Sequence, residues 1–208
     1  MKDTVHQYLQ QQKALYGNEL YLSREPDPLP IQSPLKDKSV SHKEIDDFNR
    51  SICNCVECPL GETRTNFVFG VGDPNAELML VGEAPGKQED LMGEPFVGRA
   101  GKLLDDILRA INRKRGDGVY IANVLKCRPP NNRDPLPSEV DNCETYLQKQ
   151  IQLIKPKLIV ALGRVAGKNL LKMDVPLKEL RGKTHDYNGT PLRVTYHPAA
   201  LLRNSNFK

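Results

Sequence analysis

Four short apolar runs recur along this chain: ELMLVG at 77–82, VYIANVL at 119–125, KLIVALG at 157–163 and PLRVTYH at 191–197. The segments between them carry helical spacing, with Leu103, Leu104, Ile107, Leu108 and Ile111 in one, and Tyr146, Leu147, Ile151 and Ile154 in another. Strands this uniformly apolar are buried on both faces, and parallel neighbours need crossover helices to connect them. The pattern therefore predicts an α/β fold, a parallel sheet covered on both sides by helices. In such sheets ligands bind beyond the carboxyl ends of the strands. The distinctive residues follow that rule: GEAPG after the first run, Asn123 within the end of the second, and His197 at the end of the last.

At 208 residues the chain is long enough for one well-buried core and too short for two ordinary domains plus linkers. Residues 1–24 show a loose helical pattern through Val5, Leu9, Ala14 and Leu20, and EPDPLPIQSPLKDKSVS, with four prolines, reads as an extended linker. Ser41 with Glu44 three residues on resembles a capping box and predicts a short helix to about Ser51. The expected organisation is a helical appendage and Pro-rich linker at 1–40 and a single domain at 41–208. No apolar run approaches the roughly 20 residues that span a membrane, and the N-terminus lacks a signal-peptide core. A cytoplasmic protein without a membrane partner is expected. The net charge of +4 permits a nucleic-acid partner without requiring one.

The turn in LMLVGEAPGKQED, residues 78–90, joins a strand to a helix as phosphate cradles do, yet neither GxGxxG nor GxxxxGK[ST] runs through it and it carries a carboxylate, Glu83. It is shaped for something other than a free nucleotide phosphate. The five cysteines are an odd number at 53, 55, 58, 127 and 143, which disfavours a secreted disulfide framework. Cys55 and Cys58 form a CxxC pair, and Cys127 and Cys143 bracket a second, Pro-rich segment, so four thiols make a ligand set from which Cys53 is left out. Zinc or an iron-sulfur cluster fits such a set, and spacing alone does not choose. A metal there would pin RPPNNRDPLPSEVDN, whose four prolines give it no core of its own, and would fix the strand end at Asn123.

Read in order, GEAPGKQED, GEPFVGRAG, IANVLKCRPPNNR and YHPAALLRN, together with the four cysteines, make the chain resemble the family 4 uracil-DNA glycosylases, the iron-sulfur branch of that superfamily, over about residues 52–204. The resemblance implies a four-stranded parallel sheet between helices, a three-layer α/β/α fold. It also implies a [4Fe-4S] cluster on Cys55, Cys58, Cys127 and Cys143, and excision of uracil from DNA in base excision repair. On that reading the turn lines a pocket for a flipped base. Backbone groups of Glu83, Ala84 and Pro85 meet the uracil edge, Phe96 stacks on its face, and Asn123 reads O4 and N3–H. His197 donates to the charge developing on O2. Leu201, Leu202 and Arg203 form a wedge that fills the gap in the DNA. The best-known branch has an aspartate where this chain has Ala84, so Glu83 and then Glu89 are the candidates to orient the attacking water. No lysine stands in the motifs as a Schiff-base nucleophile, so a monofunctional hydrolase is expected; its expected partner is uracil-containing DNA and its expected state a monomer.

The resemblance implies a further helix beyond HPAALLRN, whereas the sequence stops at Lys208, so the expectation for the domain at 41–208 is either that its last helix is lacking or that the sheet is covered differently. Residues 1–40 lie outside the resemblance and are a possible contact for replication or repair proteins. Three other readings compete: a non-catalytic iron-sulfur DNA-binding module of the same fold, a glycosylase for another deaminated base such as hypoxanthine, and a zinc scaffold without DNA chemistry.

Overall fold

A computed structural model of the chain describes residues 42–204. The appendage, the linker and Ser41 of the expected capping box lie outside them. Helix α1 (His42–Ile52) is followed by the single turn α2 (Leu60–Thr63) and the two-residue strand β1 (Val71–Gly72). The chain continues through β2 (Leu78–Gly82), α3 (Lys87–Met92), α4 (Arg99–Ala110), β3 (Val119–Asn123), α5 (Pro137–Ile154) and β4 (Leu158–Leu162). It closes with α6 (Arg164–Leu171), α7 (Leu177–Leu180), β5 (Thr184–Tyr187), β6 (Thr190–Thr195) and α8 (Pro198–Arg203).

The four apolar runs are β2, β3, β4 and β6, and they form the parallel centre of the sheet in the order β3-β2-β4-β6. The sheet has six strands rather than four, because β1 adds to β3 and β5 to β6, both antiparallel, at the two edges. Neither edge strand carries an apolar run. β1 is two residues ending in glycine, and β5 reads THDY, polar and largely exposed up to the buried Tyr187, a composition that edges tolerate. His185 lies in β5, with Nε2 2.8 Å from the Leu180 carbonyl oxygen.

Alternation along the strands sorts the core into two layers. Met79, Val81, Tyr120, Ala122, Ile159 and Ala161 face α1, α5 and α6, while Leu80, Val119, Ile121 and Leu162 face Phe96 and the Leu104 and Leu108 side of α4. Each such fully buried Leu or Ile contributes about 1.5–3 kcal/mol over leaving it in water. The apolar stripe of α4 is narrower than its spacing implies, since Ile107 and Ile111 are exposed. Chain order along the sheet reverses between β2 and β4. In open α/β sheets such a switch point puts a ligand crevice at the carboxyl ends of those two strands.

Candidate active site

A cleft of about 600 Å³ opens at that point. Glu83 and Ala84 reach it from the turn after β2, Asn123 from the end of β3, Gly163 and Arg164 from the end of β4, and His197 and Arg203 from the segment after β6. Phe96 enters from the loop before α4. At the cleft floor, a Cβ placed on Gly82 would lie 2.4 Å from Asn123 Oδ1 and 2.6 Å from Phe96 Cζ. Glycine there lets the amide and the ring close on the strand end.

Phe96 is both core and cleft wall. It is 5% exposed, and its ring centroid stands 5.5 Å from that of His197 at a tilt of 31°. Its backbone is left-handed, with φ of 56°, a conformation that costs a non-glycine residue about 1–3 kcal/mol and persists only where the surroundings enforce it. Asn123 is 2% exposed. Its backbone carbonyl accepts from Lys126 Nζ at 2.9 Å, and its carboxamide lines the cleft with no hydrogen bond to another described residue.

His197 caps α8, its Nδ1 accepting from the Ala199 amide at 3.2 Å. An Nδ1 that accepts leaves the proton of a neutral ring on Nε2. Burial, with the Arg203 charge added, lowers the ring's pKa to about 4 against an opposing effect of Glu89. At neutral pH, His197 is therefore an uncharged imidazole with one N–H to donate.

The two glutamates differ. Burial pushes Glu83 up to about 7, with the Asp134 carboxylate adding to the rise and Arg164 opposing it. Glu89 also lines the cleft, but its Oε1 accepts from the amides of Val97 and Gly98 at 3.0 and 2.9 Å, tying down the start of α4. Pro85 is buried and is not part of the cleft wall, and the Glu83 carbonyl is taken by the Leu125 amide at 3.0 Å. Of the three turn residues expected to meet the base, Glu83 and Ala84 line the cleft and Pro85 does not. On α8, Arg203 lines the rim, Leu201 is half-buried, and Leu202 projects outward at 44% exposed.

Three features escaped sequence reasoning. Asn132 and Asp134, from the Pro-rich loop, form part of the cleft wall. That loop is held by Arg133, paired with the buried Glu139 at 2.5 Å, whose other oxygen accepts from the Leu136 amide. Lys126 is wholly buried beneath Asn123 and donates to Gln150 Oε1 at 2.6 Å. Burial lowers its pKa to about 8. The nearest sequence signal for the loop is its bracketing by two of the cysteines.

Behind the loop, Cys55, Cys58, Cys127 and Cys143 line one apolar pocket with Leu60, Phe67 and Leu125. Three of the sulfurs face donors: Arg64 Nη1 is 3.3 Å from Cys127 Sγ, the Lys126 amide 3.3 Å from Cys143 Sγ, and Tyr146 Oη 3.2 Å from Cys55 Sγ. Burial raises the Cys127 thiol, and raises that of Cys143 to about 11. Among the described residues, no three or more His, Cys, Asp or Glu side chains converge closely enough for a single metal ion. Cys53 lies apart, its Sγ 3.5 Å from the Arg50 carbonyl oxygen.

Comparison with known proteins agrees with this geometry. Residues 69–208 match the model of the uracil DNA glycosylase superfamily. A type-4 uracil-DNA glycosylase of Archaeoglobus fulgidus is 49% identical over 168 residues, 77% of this chain and 84% of that protein. One from Sulfurisphaera tokodaii is 44% identical over 79% of this chain and 78% of its own length, and one from Thermotoga maritima 47% over 72% and 79%. A cleft at the switch point of the sheet, the family model and these relatives agree: the chain belongs to the uracil DNA glycosylase superfamily.

Proposed function

We propose that this protein is a monofunctional uracil-DNA glycosylase of DNA repair, hydrolysing the N-glycosidic bond of uracil and leaving an abasic site. The observation that carries the reading is the convergence of an aromatic ring, a cleft-facing carboxamide and a neutral imidazole around one space at the switch point. A base stacked in DNA is out of reach, so the nucleotide is extruded into the cleft. Phe96 supports the face of the base. The Asn123 amide donates to O4 while its carbonyl accepts from N3–H, and cytosine, with donor and acceptor exchanged, leaves both unpaired.

As the C1′–N1 bond breaks, its electron pair departs with the base and negative charge gathers on O2. The His197 Nε2–H donates there, and the bond is stronger in the transition state than in the ground state. Glu83 orients the water that attacks C1′ and takes its proton. Glu89 already spends one oxygen on two backbone amides, whereas Glu83, with a pKa of about 7, is partly ionised at neutral pH. Among the described residues no lysine lines the cleft, which supports hydrolysis without a Schiff base or strand scission. Arg203 at the rim faces DNA phosphate, and Leu201 and Leu202 beside it fill the vacated stack.

Cys55, Cys58, Cys127 and Cys143 would hold a [4Fe-4S] cluster. The donor set supports it: four thiols in one apolar pocket, three with hydrogen-bond donors of the kind that stabilise cluster thiolates. Bound there, the cluster supplies a cross-link between the 55–58 segment, the loop that carries Asn132 and Asp134, and α5.

The test is product analysis with purified protein on oligonucleotides containing uracil, hypoxanthine or cytosine. Uracil release, with strand cleavage appearing only after alkali, supports the reading. Release of hypoxanthine alone would move the substrate assignment, and DNA binding without any product would make the protein a binding module.

A further inference from the structure

We propose that Arg115 is a positioning residue for base recognition, a guanidinium that holds the Phe96 backbone in the conformation that presents its ring to the base. The inference rests on the glycosylase reading above and adds a residue to it. Arg115 lies in the turn before β3, at the end of the strand away from Asn123. Its side chain nevertheless reaches back along α4 and is only 22% exposed. Nη1 donates to the Pro95 carbonyl at 2.7 Å, Nη2 donates to the Phe96 carbonyl, and Nε to Asp105 Oδ1 at 2.6 Å.

The grip is two-sided. Arg115 holds the carbonyls of Pro95 and Phe96, and Glu89 Oε1 holds the amides of Val97 and Gly98 just beyond. Between these opposite charges sits Phe96 at φ of 56°, a conformation uncommon for a bulky residue. Gly101 completes the seat, since a Cβ there would fall 1.6 Å from the Phe96 carbonyl oxygen. Burial of the ring fixes where it lies, and the clamp on both flanking peptides fixes its tilt toward His197 and the cleft. Arginine suits the task because its planar fork reaches two successive carbonyls while Asp105 orients it. A lysine ammonium is a single point charge on a flexible stem.

The test compares wild type, Arg115→Lys, Phe96→Leu and the double variant on a single-stranded uracil oligonucleotide, where extrusion from a duplex does not enter. Arg115→Lys is expected to lower kcat/KM about tenfold, the equivalent of one hydrogen bond to a charged group. Inhibition by free uracil should weaken by the same factor, while affinity for abasic DNA stays at the wild-type value. The double variant should be no worse than Phe96→Leu alone, because Arg115 acts through the ring. Unchanged inhibition by free uracil, or losses that multiply in the double variant, would overturn the inference and leave the glycosylase reading intact. Wild type that released no uracil would remove both. Should Arg115→Lys fail to fold, Asp105→Asn, which frees the guanidinium from its orienting partner, carries the same expectation with a smaller loss.

Discussion

Replacing His197 with alanine removes three separable things: the Nε2–H proposed to donate to the base, the Nδ1 acceptor that caps α8, and a ring packed against Phe96. The cap is worth about 1 kcal/mol, which in a domain of this size lowers Tm by roughly 2–4 °C. The donor is worth far more to the reaction, since losing one preorganised donor to a developing oxyanion costs about 10²–10³ in rate. Single-turnover excision should therefore fall by that factor at saturating enzyme, with affinity for uracil-containing DNA nearly kept, and the loss should be the same on single-stranded and duplex substrate. The protonation state makes a second demand. With a ring pKa near 4, below the ordinary 6.5, the donor is neutral throughout the working range. Stability that the neutral ring supplies above 6.5 is lost as pH falls toward 4, and His197→Ala should lack that loss. A rate defect below tenfold, a defect confined to duplex DNA, or an imidazole titrating near 6.5 by NMR would refute the assignment.

Glu83→Gln should flatten a wild-type rate profile that rises with pH through about 7, where the carboxylate ionises. Because the buried carboxylate favours its protonated form, wild type loses stability as pH rises from 4.5 through 7, so the glutamine variant should melt higher than wild type at pH 8 and not at pH 4. Calorimetry at the two pH values checks the sign. Asn123→Asp is expected to cut uracil excision at neutral pH, as an ionised oxygen repels O4, and unchanged rates would remove Asn123 from base reading. Pure protein prepared anaerobically should be brown with about four irons per chain, and Cys127→Ser or Cys143→Ser should lose iron, soluble yield and activity together. Colourless protein with stoichiometric zinc would refute the cluster. Leu202→Ala should slow excision from U·A duplexes more than from U·G or single strands, where extrusion costs less, and an equal defect on all three would exclude a wedge.

The central strands were legible because a strand covered on both faces reads as a near-continuous apolar run, as β2, β3 and β4 do, whereas β6 alternates, burying Leu192 and Val194 and exposing Arg193. Asn123, His197 and the Glu83 turn were legible for a related reason: each stands where such a strand stops, and only carboxyl ends of parallel strands meet a ligand. β1 and β5 were not, because an edge strand in water needs no apolar signal. Nor could spacing assign the two glutamates, as both sit in polar sequence and only packing shows Glu89 bound to the Val97 and Gly98 amides while Glu83 stays in the cleft. Arg115 and Lys126 look like ordinary surface cations in the sequence. One grips the Phe96 loop and the other is sealed under Asn123, and the partners that place them include backbone carbonyls, which every residue carries and no motif records. Side-chain identity at strand ends was thus set by local sequence, whereas the aim of each group depends on backbone oxygens and amides brought together from distant segments, which only the folded chain decides.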